Sequence, residues 1–320
     1  MSYGGKLTRR TLLAIAGVGS FGALAACSSS GSAGSGPGEG GGGTAPPSSS
    51  PAPPTPTQLP NGGREIFPAY RLFGYCGSPA APALGQLGVG DLADEARGMM
   101  GKTAEWGGGR RVQPVMELIS CIVQSAPGAD GQYRIRLGDD IVQQWLDVAR
   151  QHKALLLLNI QPGRAAFLDE VKAIERWLRE PDVGIALDPE WSVGPGQTPG
   201  KVFGHTTGRV LDEVASYVSG LVSEHKMPEK PMVIHVLRRN IVSDEAELRP
   251  HKGVALVKSV DGIGPMHDKV KAYNAVMAGT PSHIHPGFKL FFQEDGRYGP
   301  LMTPEQVLAL TPQPEYVLYE

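Results

Sequence analysis

Short apolar runs alternate with longer stretches of helical spacing along most of the chain. The runs RLFGYC (71–76), VQPVMELISCIV (112–123), ALLLLNI (154–160), VGIALD (183–188), PMVIHVL (231–237), GVALVKS (253–259), GFKLFF (287–292) and EYVLY (315–319) predict eight strands. Between them, DDIVQQWLDVARQH (139–152), RAAFLDEVKAIERWL (164–178), TGRVLDEVASYVSGLVSEH (207–225) and MTPEQVLAL (302–310) predict helices. In the third of these, Val210, Val214, Tyr217, Val218 and Leu221 recur at helical spacing and form a stripe suited to a sheet surface. ALLLLNI and VGIALD are apolar on both faces, as parallel strands covered by helices must be. The alternation predicts one α/β domain over residues 67–320, a (β/α)8 TIM-like barrel. An open doubly wound sheet is the competing architecture. It would want a Gly-rich phosphate loop after the first strand, and FGYCGSPAAP is a poor version of one.

The N-terminus departs from this pattern. Lys6, Arg9 and Arg10 precede an apolar stretch, residues 12–26, that is too short and too rich in Gly and Ala for a comfortable membrane span. Residues 28–66 carry almost no large apolar side chain, so they cannot bury enough surface to offset the entropy of ordering. They are expected to form, with Cys27, a tether over 27–66 that is flexible in its Gly/Ser half and extended in its Pro half. TRRTLL resembles a twin-arginine export signal, and LAAC resembles a lipobox whose cysteine is lipidated after residues 1–26 are cleaved. These resemblances imply an extracytoplasmic lipoprotein held to the membrane through Cys27.

Charge and cysteine content narrow the function. The formal net charge of −2 becomes −5 once the three positive charges of Lys6, Arg9 and Arg10 leave with the signal. No basic stripe runs through residues 67–320, which argues against a nucleic-acid partner. Cys76 and Cys121 lie in separate apolar runs without metal-ligand spacing; they read as buried free thiols, with a disulfide as the alternative. There is no Walker loop, nucleophile elbow or Cys-based redox motif, so no cofactor is expected.

In a barrel, chemistry belongs where strands end and βα loops begin. Those junctions carry Tyr75, Glu117 within the second strand, Asn159 with Gln161 and Arg164, Asp188 with Glu190, then His235, Arg238, Asp261, Gln293, Glu294, Asp295 and Tyr319. Along VGIALDPEW, Gly184, Ala186, Asp188 and Glu190 share one strand parity, which places both carboxylates toward the barrel interior with room left by the two small residues. Pro189 favours extended geometry at Asp188. Carboxylates this close are expected to raise one pKa, giving a general acid, and Trp191 offers a flat face for a sugar ring. Glu190 and Asp188 are therefore the expected catalytic pair, with Asp295 as a further carboxylate. Trp191, Asn159, Gln161, Arg164, Tyr75, His235, Gln293 and Tyr319 are expected around the substrate.

LDPEW resembles the Asp-x-Glu signature at the end of the fourth strand in glycoside hydrolase barrels of the chitinase and GH25 lysozyme kinds. That resemblance implies Glu190 as acid, with Asp188 as the partner that in chitinases orients a substrate acetamide. Gly184 and Ala186 stand where the longer chitinase motif has further acidic residues. The domain also looks like an uncharacterised family of exported bacterial lipoproteins. The resulting expectation is hydrolysis of an envelope polysaccharide by carboxylate acid/base catalysis. One alternative is a barrel that binds glycan without cleaving it. The other is a metal-dependent phosphodiesterase or deacetylase using His235, His283, His285 and Asp261.

Cys27→Ser should release the protein from membranes without altering its fold. Fractionation of cells expressing the variant tests this, and a variant that stays with the membranes removes the lipobox.

Overall fold

The computed structural model describes residues 58–320, so Cys27 and the expected signal lie outside the described residues. Eight strands run in one direction: β1 (Tyr70–Gly77), β2 (Arg111–Val123), β3 (Leu155–Ile160), β4 (Val183–Leu187), β5 (Lys230–Val236), β6 (Val254–Val260), β7 (His285–Leu290) and β8 (Tyr316–Tyr319). Each pairs in parallel with the next, and the ring closes at β1, where Leu72 lies opposite Gln113 of β2 on one side and Tyr316 of β8 on the other. The expected barrel is present, whereas a doubly wound sheet would leave two edges open.

The strands alternate as their sequences require. Leu156, Leu158, Val183, Ile185, Leu187, Met232 and Ile234 point outward into the large core between barrel and helices. Leu72, Val115, Leu155, Leu157, Ala186, Val233, Val257 and Leu318 fill the lower half of the interior. Gly184 leaves no open room there, contrary to the sequence expectation. A Cβ at this position would come within 2.7 Å of the Pro231 carbonyl oxygen and 2.8 Å of Leu157 Cδ2.

Outside the barrel lie α1 (Leu92–Lys102), α2 (Asp139–Gln151), α3 (Phe167–Ala173), α4 (Gly208–Glu224), α5 (Met266–Met277) and α6 (Pro304–Leu308). The expected helix over 164–178 starts later and breaks after Ala173, resuming as a short helix, Glu175–Leu178. On α4 the buried stripe is rotated: Leu211, Val214, Ala215, Val218 and Leu221 are buried, while Val210 is exposed. α1 is capped by Asp91, whose side chain accepts from the amides of Ala93 and Asp94. Gly98 and Gly101 weaken its periodicity, and only Ala96 and Met99 are buried, so its pattern is faint in sequence.

No helix joins β5 to β6. The polar stretch after Val236 forms the single turns Arg239–Ile241 and Glu245–Glu247, with Val242–Ser243 between them paired to Thr206–Thr207. There Lys258 of β6 reaches outward, and its Nζ donates to Glu245 at 2.8 Å and to the Val276 carbonyl at 3.0 Å.

The N-terminal end of the barrel is closed by residues expected to belong to the tether. Leu59 and Ile66 are buried among the interior side chains. The Tyr70 hydroxyl donates to the carbonyls of Asn61 and Gly62, the Ile66 amide donates to Glu229 at 2.6 Å, and Arg64 donates to the Met227 carbonyl at 2.9 Å. The folded body therefore starts by Leu59 and not at residue 67. Two apolar side chains suffice, because they cap an opening that would otherwise admit water onto the inner core.

Ile66→Ala, at a position with no exposure, should cost about 2–5 kcal/mol in urea unfolding. A protein starting at residue 67 should likewise melt below one starting at 58, and equal melting temperatures would show that the plug carries no stability.

Candidate active site

At the C-terminal ends of the strands the interior changes from apolar to polar without changing parity. The inward positions continue as Cys76 on β1, Glu117 on β2, Asn159 on β3, Asp188 after β4, His235 on β5, Ser259 and then Asp261 at the end of β6, Lys289 on β7 and Glu320 after β8, all buried. Every strand contributes to one connected set of side chains.

At its centre stands His235. Its Nε2 lies 3.0 Å from Glu117 Oε1 and its Nδ1 lies 2.9 Å from Asp261 Oδ2. Burial works against an imidazolium, but the carboxylates of Asp261 and Glu117 outweigh it and push the His235 pKa up to about 10. Burial likewise works to raise Glu117. The imidazolium charge and its hydrogen bond, together with Lys289 and the Tyr316 hydroxyl, hold that carboxyl at about 2. Asp261 is lowered below the carboxylate range by the same histidine and lysine, despite its burial. Tyr316 donates to Glu117 Oε2 at 2.7 Å, and Ser259 donates to Asp261 Oδ1 at 2.9 Å. Lys289 Nζ lies 3.3 Å from Asp261 and 2.6 Å from Glu320.

Glu117 connects this trio to the LDPEW segment. Asn159 Nδ2 donates to Glu117 Oε1 at 2.9 Å and to Asp188 Oδ1 at 3.3 Å, while Gln161 Nε2 donates to Asp188 Oδ2 at 3.1 Å. Two amides from the neighbouring strand thus fix the Asp188 carboxylate. β4 ends at Leu187, and Pro189–Trp191 forms a 3-10 turn, so Glu190 does not continue the extended alternation expected for it. Its carbonyl accepts from the Gly204 amide at 2.6 Å, and its side chain is 8% exposed. Trp191 is 2% exposed and so part of the wall.

The remaining expected site residues scatter. Asp295 is tied to Lys269 Nζ at 2.7 Å and accepts from the amides of Gly264 and Phe291. Gln293 is exposed on the turn after β7. Arg164 donates to the Gln197 carbonyl and lies over the Tyr133 ring. Tyr75 and Tyr319 have the opposite parity from Cys76 and Glu320; they join Phe73, Trp106 and Phe292 in an aromatic group of the outer layer. Burial there, with Glu95 and Glu105 nearby, pushes Tyr75 up to about 12. His235 and Asp261 meet, but His283 Nε2 donates to the Leu248 carbonyl at 2.8 Å, and His285 pairs with Glu315 and stacks on Phe67 at the start of β7. The four residues of the metal alternative therefore do not assemble. Among the described residues, no group of three or more His, Cys, Asp or Glu side chains is placed to hold a metal ion. Cys76 and Cys121 are both buried and are not joined by a disulfide; their thiols donate to Glu320 and Glu170, each at 3.5 Å.

Glu117, Lys289, Tyr316 and Glu320 were given no role from sequence. The signal that would have found them is the same parity that placed Asp188: each is an inward position of its strand, and a Glu inside VMELIS is conspicuous in a fully buried run. No protein-family model matches this chain, and no curated protein is similar to it.

The buried cluster makes a pH prediction. His235 rises from 6.5 to about 10 on folding, so its stabilisation is complete below 6.5 and is lost as pH climbs to about 10. Lys230 has the opposite sign. Its Nζ donates to the carbonyls of Glu180 and Val183, and burial pushes it from 10.5 down to about 7, so its cost fades as pH rises through that interval. Lys258 and Lys269, also lowered by burial, act in the same direction as Lys230. His235→Gln should destabilise the protein by about 3–5 kcal/mol at pH 6 by leaving two carboxylates uncompensated. Between pH 7 and pH 10 its melting temperature should rise relative to that of the parent. Parallel melting curves for the two proteins across that range would contradict the charged His235.

Proposed function

We propose that this protein is a glycoside hydrolase-like barrel that cleaves glycosidic bonds of an envelope polysaccharide, with Glu190 as general acid and Asp188 as its fixed partner. A lipid on Cys27 would hold it outside the membrane. One observation carries the reading: the Asp188 carboxylate, at the C-terminal end of β4, is held on both oxygens by Asn159 and Gln161, and Glu190 follows it within one turn. A glycosidase needs a proton donor beside a carboxylate of fixed position, and this segment supplies both from one rigid strand end.

The buried trio favours the same division of roles. With Glu117 at about 2 and His235 at about 10, neither group exchanges a proton near neutral pH. Proton transfer therefore falls to a carboxyl outside the trio. Asp295, the other carboxylate expected from sequence, is occupied by Lys269 and two backbone amides. This leaves Asp188 as the carboxylate beside Glu190.

Glu190→Gln should lower turnover of a cleaved envelope polysaccharide by about 10² to 10⁴ while leaving the melting temperature nearly unchanged. Asp188→Asn should also lower activity, because its amide would set a donor against the donors of Asn159 and Gln161. Binding without turnover by the parent protein would favour the non-catalytic glycan-binding barrel. Large destabilisation of Glu190→Gln would make Glu190 a structural charge and sink its role as acid.

A further inference from the structure

Three barrel strands are entered through the same two residues. His152-Lys153 precedes β3, His225-Lys226 precedes β5 and His251-Lys252 precedes β6. The strands are parallel, so all three pairs lie at the N-terminal end of the barrel, opposite the polar cluster.

The backbone there is costly for lysine. Lys153 and Lys226 follow the last turns of α2 and α4 with φ of 51° and 52°, in the left-handed region where a helix end ordinarily places glycine. At the third junction Gly253, with φ of 77°, takes that conformation one residue later. The carbonyls of all three lysines are tied down. Gln113 and Asn61 donate to that of Lys153 at 2.8 and 3.2 Å, Arg64 to that of Lys226 at 3.2 Å, and the Ser219 hydroxyl to that of Lys252 at 2.7 Å. None of this uses a lysine side chain. All three residues are exposed, and their ammoniums have no hydrogen bond or ion pair among the described residues.

Other cations join them. Arg64 in the plug and Arg111 at the start of β2 are exposed at the same end. Most acids there are engaged: Glu229 accepts from the Ile66 amide, Glu315 pairs with Arg110 and His285, and Glu180 and Asp182 pair with Arg150. Glu65 and Glu224 remain exposed. A cavity of about 400 Å³ lies between Arg64, Lys226 and Lys252, with Glu65 and Glu229 also on its wall. The chain as a whole is acidic, with a net charge of −2, so this face stands against the balance of the molecule. No basic run announces it, because its members come from separate strand ends. Residues 58–66 plug the same end, so the chain that precedes them joins the body here.

We infer that this end is an interaction surface for an anionic phospholipid bilayer. Lys153, Lys226, Lys252, Arg64 and Arg111 meet headgroup phosphates, and the strand ends that carry Asp188 and Glu190 face away from the membrane. The choice of a membrane over another polyanion rests on the anchor expected at Cys27; the basic face itself does not. Exposed lysines spread over several strand ends suit a plane of phosphates. Each contributes weakly, so the face orients a body held by other means, and Cys27→Ser still releases the protein during fractionation.

The test measures vesicle binding by the full-length protein carrying Cys27→Ser, so that docking is read apart from anchoring. The vesicles are equal parts phosphatidylglycerol and phosphatidylcholine, or phosphatidylcholine alone, at low salt. Lys6, Arg9 and Arg10 are common to all the proteins compared and drop out of their ratios. Adding Lys153→Gly, Lys226→Gly and Lys252→Gln should lower the partition coefficient on mixed vesicles about tenfold or more. The same variant should melt no lower than its parent, because glycine relieves the two left-handed positions. Lys153→Gln, Lys226→Gln and Lys252→Gln together should lose as much binding. Removing three exposed cations near the opposite end, with Lys201→Gln, Arg209→Gln and Arg297→Gln, should leave binding as in the parent. Equal loss in that control reduces the effect to net charge and overturns the inference. It is overturned too by lysine variants that bind like the parent, by a parent that binds phosphatidylcholine alone as tightly as the mixture, or by equally tight binding of soluble polyphosphate. A lower melting temperature in the glycine variant would make the lysines part of the fold and overturn it as well. Failure of the anchor shows in cell fractionation and leaves these ratios unchanged.

Discussion

The imidazole of His235, held between Glu117 and Asp261 with almost no exposure, is the constraint on which the upper barrel depends. Charges at that depth survive only when each is matched in geometry and hydrogen bonding. Tyr316 and Asn159 serve Glu117, Ser259 and Lys289 serve Asp261, and Glu320 in turn serves Lys289. The partners come from several strands, so the cluster ties together β2, β3, β5, β6, β7 and β8. An apolar core of similar volume would fill the same space with less risk. The polar cluster instead fixes directions, since a hydrogen-bonded carboxylate has few orientations and a leucine has several.

The barrel therefore has two ends with different physics. The lower interior is apolar and sealed by Leu59 and Ile66, which keeps water away from strands buried on both faces. The upper interior is ionic, and its strand ends carry the turns that any ligand would meet. Between β5 and β6 the missing helix leaves Lys258 in the outer layer, where Glu245 and a backbone carbonyl stand in for apolar cover. A second ionic staple lies beside β2. Glu170 of α3 binds Arg134 and Arg136, which lie on a short antiparallel strand added to that edge, and so secures the long extension of β2.

Periodicity made the frame legible. All eight strands are visible as short apolar runs, because a parallel barrel strand must be apolar outward and nearly so inward. Inward parity also made Asn159, Asp188 and His235 legible, since a polar side chain at an inward strand end has nowhere else to point. Pairing across the barrel was not legible. Nothing in a linear pattern says that Asp295 meets Lys269, that His285 meets Glu315, or that Tyr75 and Tyr319 face outward against Phe292. Those residues were placed by proximity to a strand end alone, and one step of parity or one turn of chain carries them elsewhere. α1 escaped notice for a different reason: with two glycines and only two buried side chains, its helical period is set by its cap more than by its apolar face.

A tightly paired charge cluster is poorly suited to proton transfer, and this decides how the site divides its work. Each pairing that stabilises Glu117 and His235 in their charged forms widens the gap between their pKa values, to about 2 and about 10. A general acid or base works best when its pKa lies near the working pH. The trio has given up that capacity in exchange for rigidity. What rigidity can do is hold Asn159, and through Asn159 hold Asp188, in one place. Under the hydrolase reading proposed above, proton transfer would fall to a side chain next to the cluster. Glu190 lies next to it, because β4 ends at Leu187 and Pro189 starts the turn on which Glu190 sits. The proline between the two carboxylates thus marks the boundary between the extended strand end that carries Asp188 and the turn that carries Glu190.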